Sequence, residues 1–119
     1  MPTKPRKDYS LYRDIPRSDK RQAKWRKQRE TRGFDDTETW GLDTVIANFV
    51  LPRLKRFKAL TNGIPQDFTE ESWDAALDDM IYAMEINADD KNSFRKGVDW
   101  GRVIRGQALF GEHFRSLWW

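Results

Sequence analysis

The chain has 119 residues, a formal net charge of +3, charged residues at 34% and no cysteine. It is long enough for one domain with an arm, and the missing cysteines exclude disulfides and thiolate zinc sites. The first ten residues, MPTKPRKDYS, hold no apolar core of a secretory signal, and no apolar run reaches bilayer length. The expected setting is the cytoplasm, with no membrane partner. Six Trp, seven Phe and three Tyr supply enough large side chains to build a core in an otherwise polar chain.

The net charge conceals an asymmetry. Residues 1–33 carry twelve Lys/Arg against four Asp/Glu, a net of +8, and residues 34–119 carry a net of −5. Charge therefore divides the chain into a basic arm and helix over 1–33 and a mildly acidic helical body over 34–119. Residues 1–17 contain three prolines and read as extended, with Tyr9, Leu11, Tyr12 and Ile15 as anchors. A helix follows, capped by Ser18 or Asp19 and stopped at Gly33. It contains KRQAKWRKQRETRG, in which seven of fourteen residues are basic. On a helical wheel these charges wrap the helix, and Trp25 is its one large apolar residue. Such a helix gains little from packing and is marginal alone.

Asp36, Thr37 and Thr39 then form a turn. The next helix reads LDTVIANFVLPRLKRFKAL, with Leu42, Val45, Ile46, Phe49, Val50, Leu54 and Phe57 near helical spacing. Pro52 inside it predicts a kink or break near Phe49 to Leu51. A loop at Asn62-Gly63 and Pro65 leads to Thr69, a cap followed by Glu70 and Glu71. The third helix carries the cleanest stripe, formed by Trp73, Ala76, Leu77, Met80, Ile81 and Met84. A last helix is expected over Ser93 to Leu117, with Phe94, Val98, Val103, Ile104, Phe110, Phe114 and Leu117 inward. Gly97, Gly101 and Gly106 in it signal close helix packing or a bend. No alternating strand pattern is visible. The expected fold is all-α, a small bundle of three main helices preceded by a basic helix and an extended arm.

Four stretches in this order, KWRKQRETRGFDDTETWGLD, PRLKRFK, EESWDAALDDMIYAME and GQALFGEHFRSLWW, resemble a family of small proteins encoded by phages and prophages, mostly of Gram-positive hosts. The likeness covers roughly residues 17–119 and is most specific at Thr39, Trp40, Leu42 and Asp43, at PRLKRF and at the closing FRSLWW. It implies a phage origin, a bacterial host cytoplasm and a shared helical fold. It brings no activity and no catalytic residue.

The residues offer little chemistry. His113 is the single histidine, and none of the serines lies in a nucleophile motif. Asp35, Asp36, Glu38 and Asp43 lack calcium-loop spacing and read more simply as helix caps. Asp74, Asp78 and Asp79 read as a solvated helix face. The expectation is a non-catalytic binding protein without cofactor, metal or small-molecule substrate. Arg21, Lys24, Lys27, Arg29 and Arg32 would contact phosphates, Trp25 would stack on a base, and Arg53 and Arg56 would form a second patch. The partner would be nucleic acid or a host machine that handles it. The alternative is a protein–protein module, such as an inhibitor of a host enzyme or an assembly component. It would be anchored by Trp118 and Trp119, unless Trp118 caps the core. Trp40 and Trp73 are expected in the core. Burial of Trp25 would mark the basic helix as architecture, and its exposure among arginines as a functional end.

Overall fold

A computed structural model describes residues 15–60, 63–89 and 95–118. Tyr9, Leu11, Tyr12, Asn62, Phe94 and Trp119 lie outside the described residues. Within them the chain is all-α. The helices are α1 Gln22–Arg32, α2 Leu42–Leu60, α3 Glu70–Asn87 and α4 Trp100–Glu112. Two short 3-10 turns, Asp36–Thr39 and Phe114–Ser116, complete the described elements.

The residues separate into two compact units, Met1–Val45 and Ile46–Trp119. The turn Asp36–Thr39 falls in the first unit together with α1. The turn after α1 is tied back to α1 by Gln28, which donates to the Asp36 carboxylate at 2.8 Å and accepts from the Asp36 N–H at 2.9 Å. Arg29 adds a 2.6 Å ion pair to Asp35.

In the first unit, α1 ends as expected. Gly33 takes a left-handed φ of 87°, and its N–H donates to the Arg29 carbonyl. Its start differs from the expected cap. Residue Arg21 stands at the N-cap without a side-chain cap bond, because the Asp19 carboxylate instead accepts from the Arg21 N–H (2.9 Å) and guanidinium. Trp25 is the one buried residue of α1.

In the second unit, the core is made by α2 and α3. Ala47 and Leu54 of α2 meet Trp73, Ala76, Leu77, Met80 and Met84 of α3. The stripe read from the sequence of α3 is therefore the core face, with Ile81 half-buried beside it. Thr69 caps α3 in a reciprocal pair with Ser72, satisfying two backbone donors that a helix start leaves open. Pro52 does not break α2, which runs without interruption from Leu42 to Leu60. Proline removes one ladder donor, and the nearby Phe49 carbonyl accepts from the Arg53 guanidinium at 2.9 Å. Lys55 and Lys58 reach across to Glu85 (3.3 Å) and Asp78 (2.7 Å) of α3.

The last helix is shorter than expected. It begins at Trp100, where the Asp99 carboxylate accepts from the Arg102 N–H, and Gly97 before it has a left-handed φ of 83° that suits a turn. It ends at Glu112, and Ile104 (67%) and Phe114 (61%) are exposed, not inward. On α4, Ile104 is next to the buried Val103, about 100° round the wheel and off the packed face. Phe114 lies past the helix end.

Contact between α3 and α4 is centred on Gly106 and Asp79. A Cβ on Gly106 would stand 2.1 Å from the Asp79 carbonyl oxygen and 2.8 Å from the Ala83 Cβ, so only glycine permits this approach. The Asp79 carboxylate receives Arg102 at 2.8 Å and Arg105 at 3.1 Å. Partial burial pushes its carboxyl up, but the hydrogen bonds and positive charges of the two arginines together hold it below the ordinary value. A carboxyl held low stabilises the fold above its unfolded pKa, and that contribution disappears as pH falls through the folded pKa. Asp79→Asn should therefore lower stability at neutral pH by about 1–2 kcal/mol. It should also flatten the loss of stability below about pH 4, as urea titrations across pH will show.

Candidate binding surfaces

Two surfaces follow from the sequence reading, one on each unit. The first is the basic helix α1 with its flanks. The indole of Trp25 is 2% exposed and meets Trp40 edge to face at a centroid distance of 5.6 Å. Its face is not open to a base, so the stacking role expected for it has no surface to act from. This packing ties α1 to the turn that follows it. Trp40, expected in the core, is instead 54% exposed.

The arginines around this pair are engaged within the unit. Arg21 pairs with Asp19 at 2.9 Å and lies 4.9 Å from the Trp25 ring. Its hydrogen bonds hold the Asp19 carboxyl down to about 2. Arg29 pairs with the fully buried Asp35. Arg32 pairs with Asp36 at 2.6 Å and covers the Phe34 ring at 4.5 Å. The Asp36 carboxyl is held low, first by Gln28 and then by Arg32. Each of these three cations already has a carboxylate, which a phosphate would have to displace. Lys20, Lys24, Arg26 and Lys27 are exposed and form no ion pair among the described residues.

Asp35 is the organising group of this unit. Its side chain accepts from the Thr37 N–H at 2.8 Å, from the Thr37 hydroxyl and from Arg29 at 2.6 Å. Glu38 returns a bond to the Asp35 N–H at 2.7 Å, closing a capping box. The acidic cluster is thus used as caps and arginine partners.

The second surface is on α2 and α4. A cleft of about 240 Å³ is lined by Phe49, Val50, Arg53, Leu54 and Phe57 of α2 together with Phe110 and Leu117. The five α2 residues cover two turns of one side of the helix. Phe110 meets Phe114 edge to face at 5.7 Å, and Trp118, next to Leu117, is 75% exposed. Of the two tryptophans expected to anchor a protein, Trp118 is therefore on the surface and does not cap the core. Arg53 lies 3.8 Å from the Phe49 ring. Arg56 is exposed and forms no ion pair among the described residues.

The acidic run of α3 is structural. Asp78 holds Lys58, raising the lysine's pKa through that hydrogen bond, and Asp79 holds Arg102 and Arg105. His113 packs against Phe68 at 4.9 Å and Trp73 at 6.1 Å. It lies outside α4 with a non-helical ψ of 20°, so its neighbour Glu112 comes within 3.8 Å of Nε2, where two consecutive helical residues would have diverged.

Sequence reasoning set Phe49 and Phe57 on the helical stripe of α2 and expected Phe110 and Leu117 inward, and so did not identify the cleft. A signal was present. From Val45 to Leu54 the apolar residues of α2 spread over about two thirds of the wheel, wider than the roughly 100° stripe that packing on one core requires.

Comparison of the chain with protein-family models, with curated proteins and with solved structures gives no match.

Proposed function

We propose that the chain is a small, non-catalytic protein-binding module, of the phage or prophage origin its resemblance implies, and that its partner is a host protein. The carrying observation is the apolar cleft of α2 and α4, continued by the exposed aromatics Phe114 and Trp118. Exposed apolar surface of this kind costs solubility unless a partner uses it. At about 240 Å³, the cleft is smaller than the roughly 300–1,000 Å³ of small-molecule sites. It suits one or two anchoring side chains of a protein.

A selection of displayed random peptides on the whole chain tests this. The expected result is a family of enriched peptides that lose binding to Phe49→Asp while the variant keeps its helical circular dichroism. Enrichment no better than on bare support would overturn the reading.

A nucleic-acid role is favoured by one observation, the four exposed cations Lys20, Lys24, Arg26 and Lys27. Contacts from four cations to duplex DNA predict a log–log salt slope of about −3.6. Absence of binding to labelled duplex and single strand at low salt would remove this second reading.

A further inference from the structure

The seven basic residues of KRQAKWRKQRETRG are not equivalent once folded. Counted from the buried Trp25, Arg21, Arg29 and Arg32 fall within about 40° of it round the helix. These are the three held by Asp19, Asp35 and Asp36. Lys24 and Lys27 lie about 100° and 160° from Trp25, on one flank. Lys20 opens the same flank, in the turn that the Gln22 N–H closes on the Asp19 carbonyl at 3.1 Å. All three lysines are exposed and form no ion pair among the described residues. Lys24 feels the charge of Asp36, but that carboxylate is bonded by Gln28 and Arg32. Arg26 lies about 100° from Trp25 in the other sense, on the far side of Glu30 from Lys27.

The lysine flank carries no aromatic side chain. Trp25 is buried, Trp40 packs against it, and Phe34 lies under Arg32, so all three belong to the arginine side. Thr31, one turn past Lys27, donates its hydroxyl to the Lys27 carbonyl at 2.9 Å. That hydroxyl proton is spent inside the helix.

We infer that Lys20, Lys24 and Lys27 form a docking surface for the phosphate backbone of duplex DNA, bound without base readout. This rests on the nucleic-acid reading above and names its contacts and its ligand. Charge complementarity favours a polyanion, and duplex DNA offers one charge per about 1.7 Å of its axis. A single strand is held largely by stacking on aromatic side chains, which this flank lacks. Duplex RNA is recognised in good part through its 2′-hydroxyls, and no free hydroxyl proton faces them here. A helix that lies on a bilayer buries an apolar face, and lysine is depleted at protein interfaces.

Fluorescence anisotropy of labelled DNA duplexes of two unrelated sequences, over a series of salt concentrations, tests this on the full chain. The two should bind alike. Each should bind more tightly than its separate strands and than the RNA duplex of the same sequence. Lys20→Gln, Lys24→Gln and Lys27→Gln combined should weaken duplex binding at least about tenfold at low salt and make the log–log slope shallower by about 2.7. Circular dichroism should be unchanged. The matching Lys→Arg triple variant should keep native binding and slope, and Arg26→Gln should leave the slope as it is.

If no duplex binds at low salt, the nucleic-acid reading and the inference fall together. If duplexes bind but the triple Gln variant keeps the native slope, or Arg26→Gln flattens it as much as one lysine does, the lysine flank is overturned while the nucleic-acid reading stands. Tighter binding of the single strands or of the RNA duplex, or a preference for one DNA sequence, would overturn the ligand assigned. Co-sedimentation with phosphatidylserine vesicles at a salt concentration that frees the duplex would give the flank to a membrane and overturn the inference.

Discussion

Gly106→Ala should destabilise the second unit by about 3 kcal/mol, at the upper end of what overpacking costs. The added methyl would stand 2.1 Å from the Asp79 carbonyl oxygen and 2.7 Å from its carbon. Both belong to helix backbone, so no flexible side chain can swing away. The whole of α4 must retreat from α3, loosening the contacts around Ala83, Ile86 and Val103. Against this, alanine gains roughly 1 kcal/mol of helix propensity over glycine. Gly111→Ala separates the two effects, because a Cβ there meets nothing within 4 Å. Urea unfolding should show a lower midpoint for Gly106→Ala and an equal or higher one for Gly111→Ala. Equal behaviour of the two variants would refute the packing argument.

Asp35→Ala should cost the first unit about 3 kcal/mol, the magnitude expected when one partner of a buried pair is removed. Three donors lose their acceptor at once, namely the Thr37 N–H, the Thr37 hydroxyl and Arg29. Asp35→Asn keeps a cap for Thr37 but loses the charge that faces Arg29, so it should cost about half as much. Amide hydrogen exchange over residues 22–40 measures this locally. Unchanged protection there in Asp35→Ala would show that α1 is held by something else.

Much of the fold was legible because its causes are local. The stripe of α3, the Thr69 cap and the Gly33 stop depend on residues a few positions apart, and all three are where the sequence placed them. The all-α class followed from helical periodicity without any alternating pattern. What stayed hidden depends on contacts across the chain. Pro52 was expected to kink or break α2, and the helix continues through it without a break. Ile104 and Phe114 read as inward because an apolar residue near helical spacing gives no hint of which neighbour it lacks. Trp40 read as core for the same reason.

The candidate sites were legible in a different proportion. Counting charge on α1 identified Arg21, Arg29 and Arg32, but it could not show that Asp19, Asp35 and Asp36 fold back onto them. Arg53 and Arg56 were singled out for phosphate, and the structure sets Arg53 in an apolar cleft, a neighbourhood the sequence could not show. Of the closing aromatics, Trp118 is exposed.

The close approach at Gly106 reaches beyond stability. Phe110 is one turn further along α4, on the side of the helix that Gly106 occupies, and it forms one wall of the cleft. The opposite wall belongs to α2, so the gap between them depends on how near α4 lies to α3. That distance is fixed by main chain meeting main chain, which makes it a gauge that side-chain motion cannot reset. A single atom added at position 106 would therefore change the width of the slot at a distance, without altering any residue that lines it.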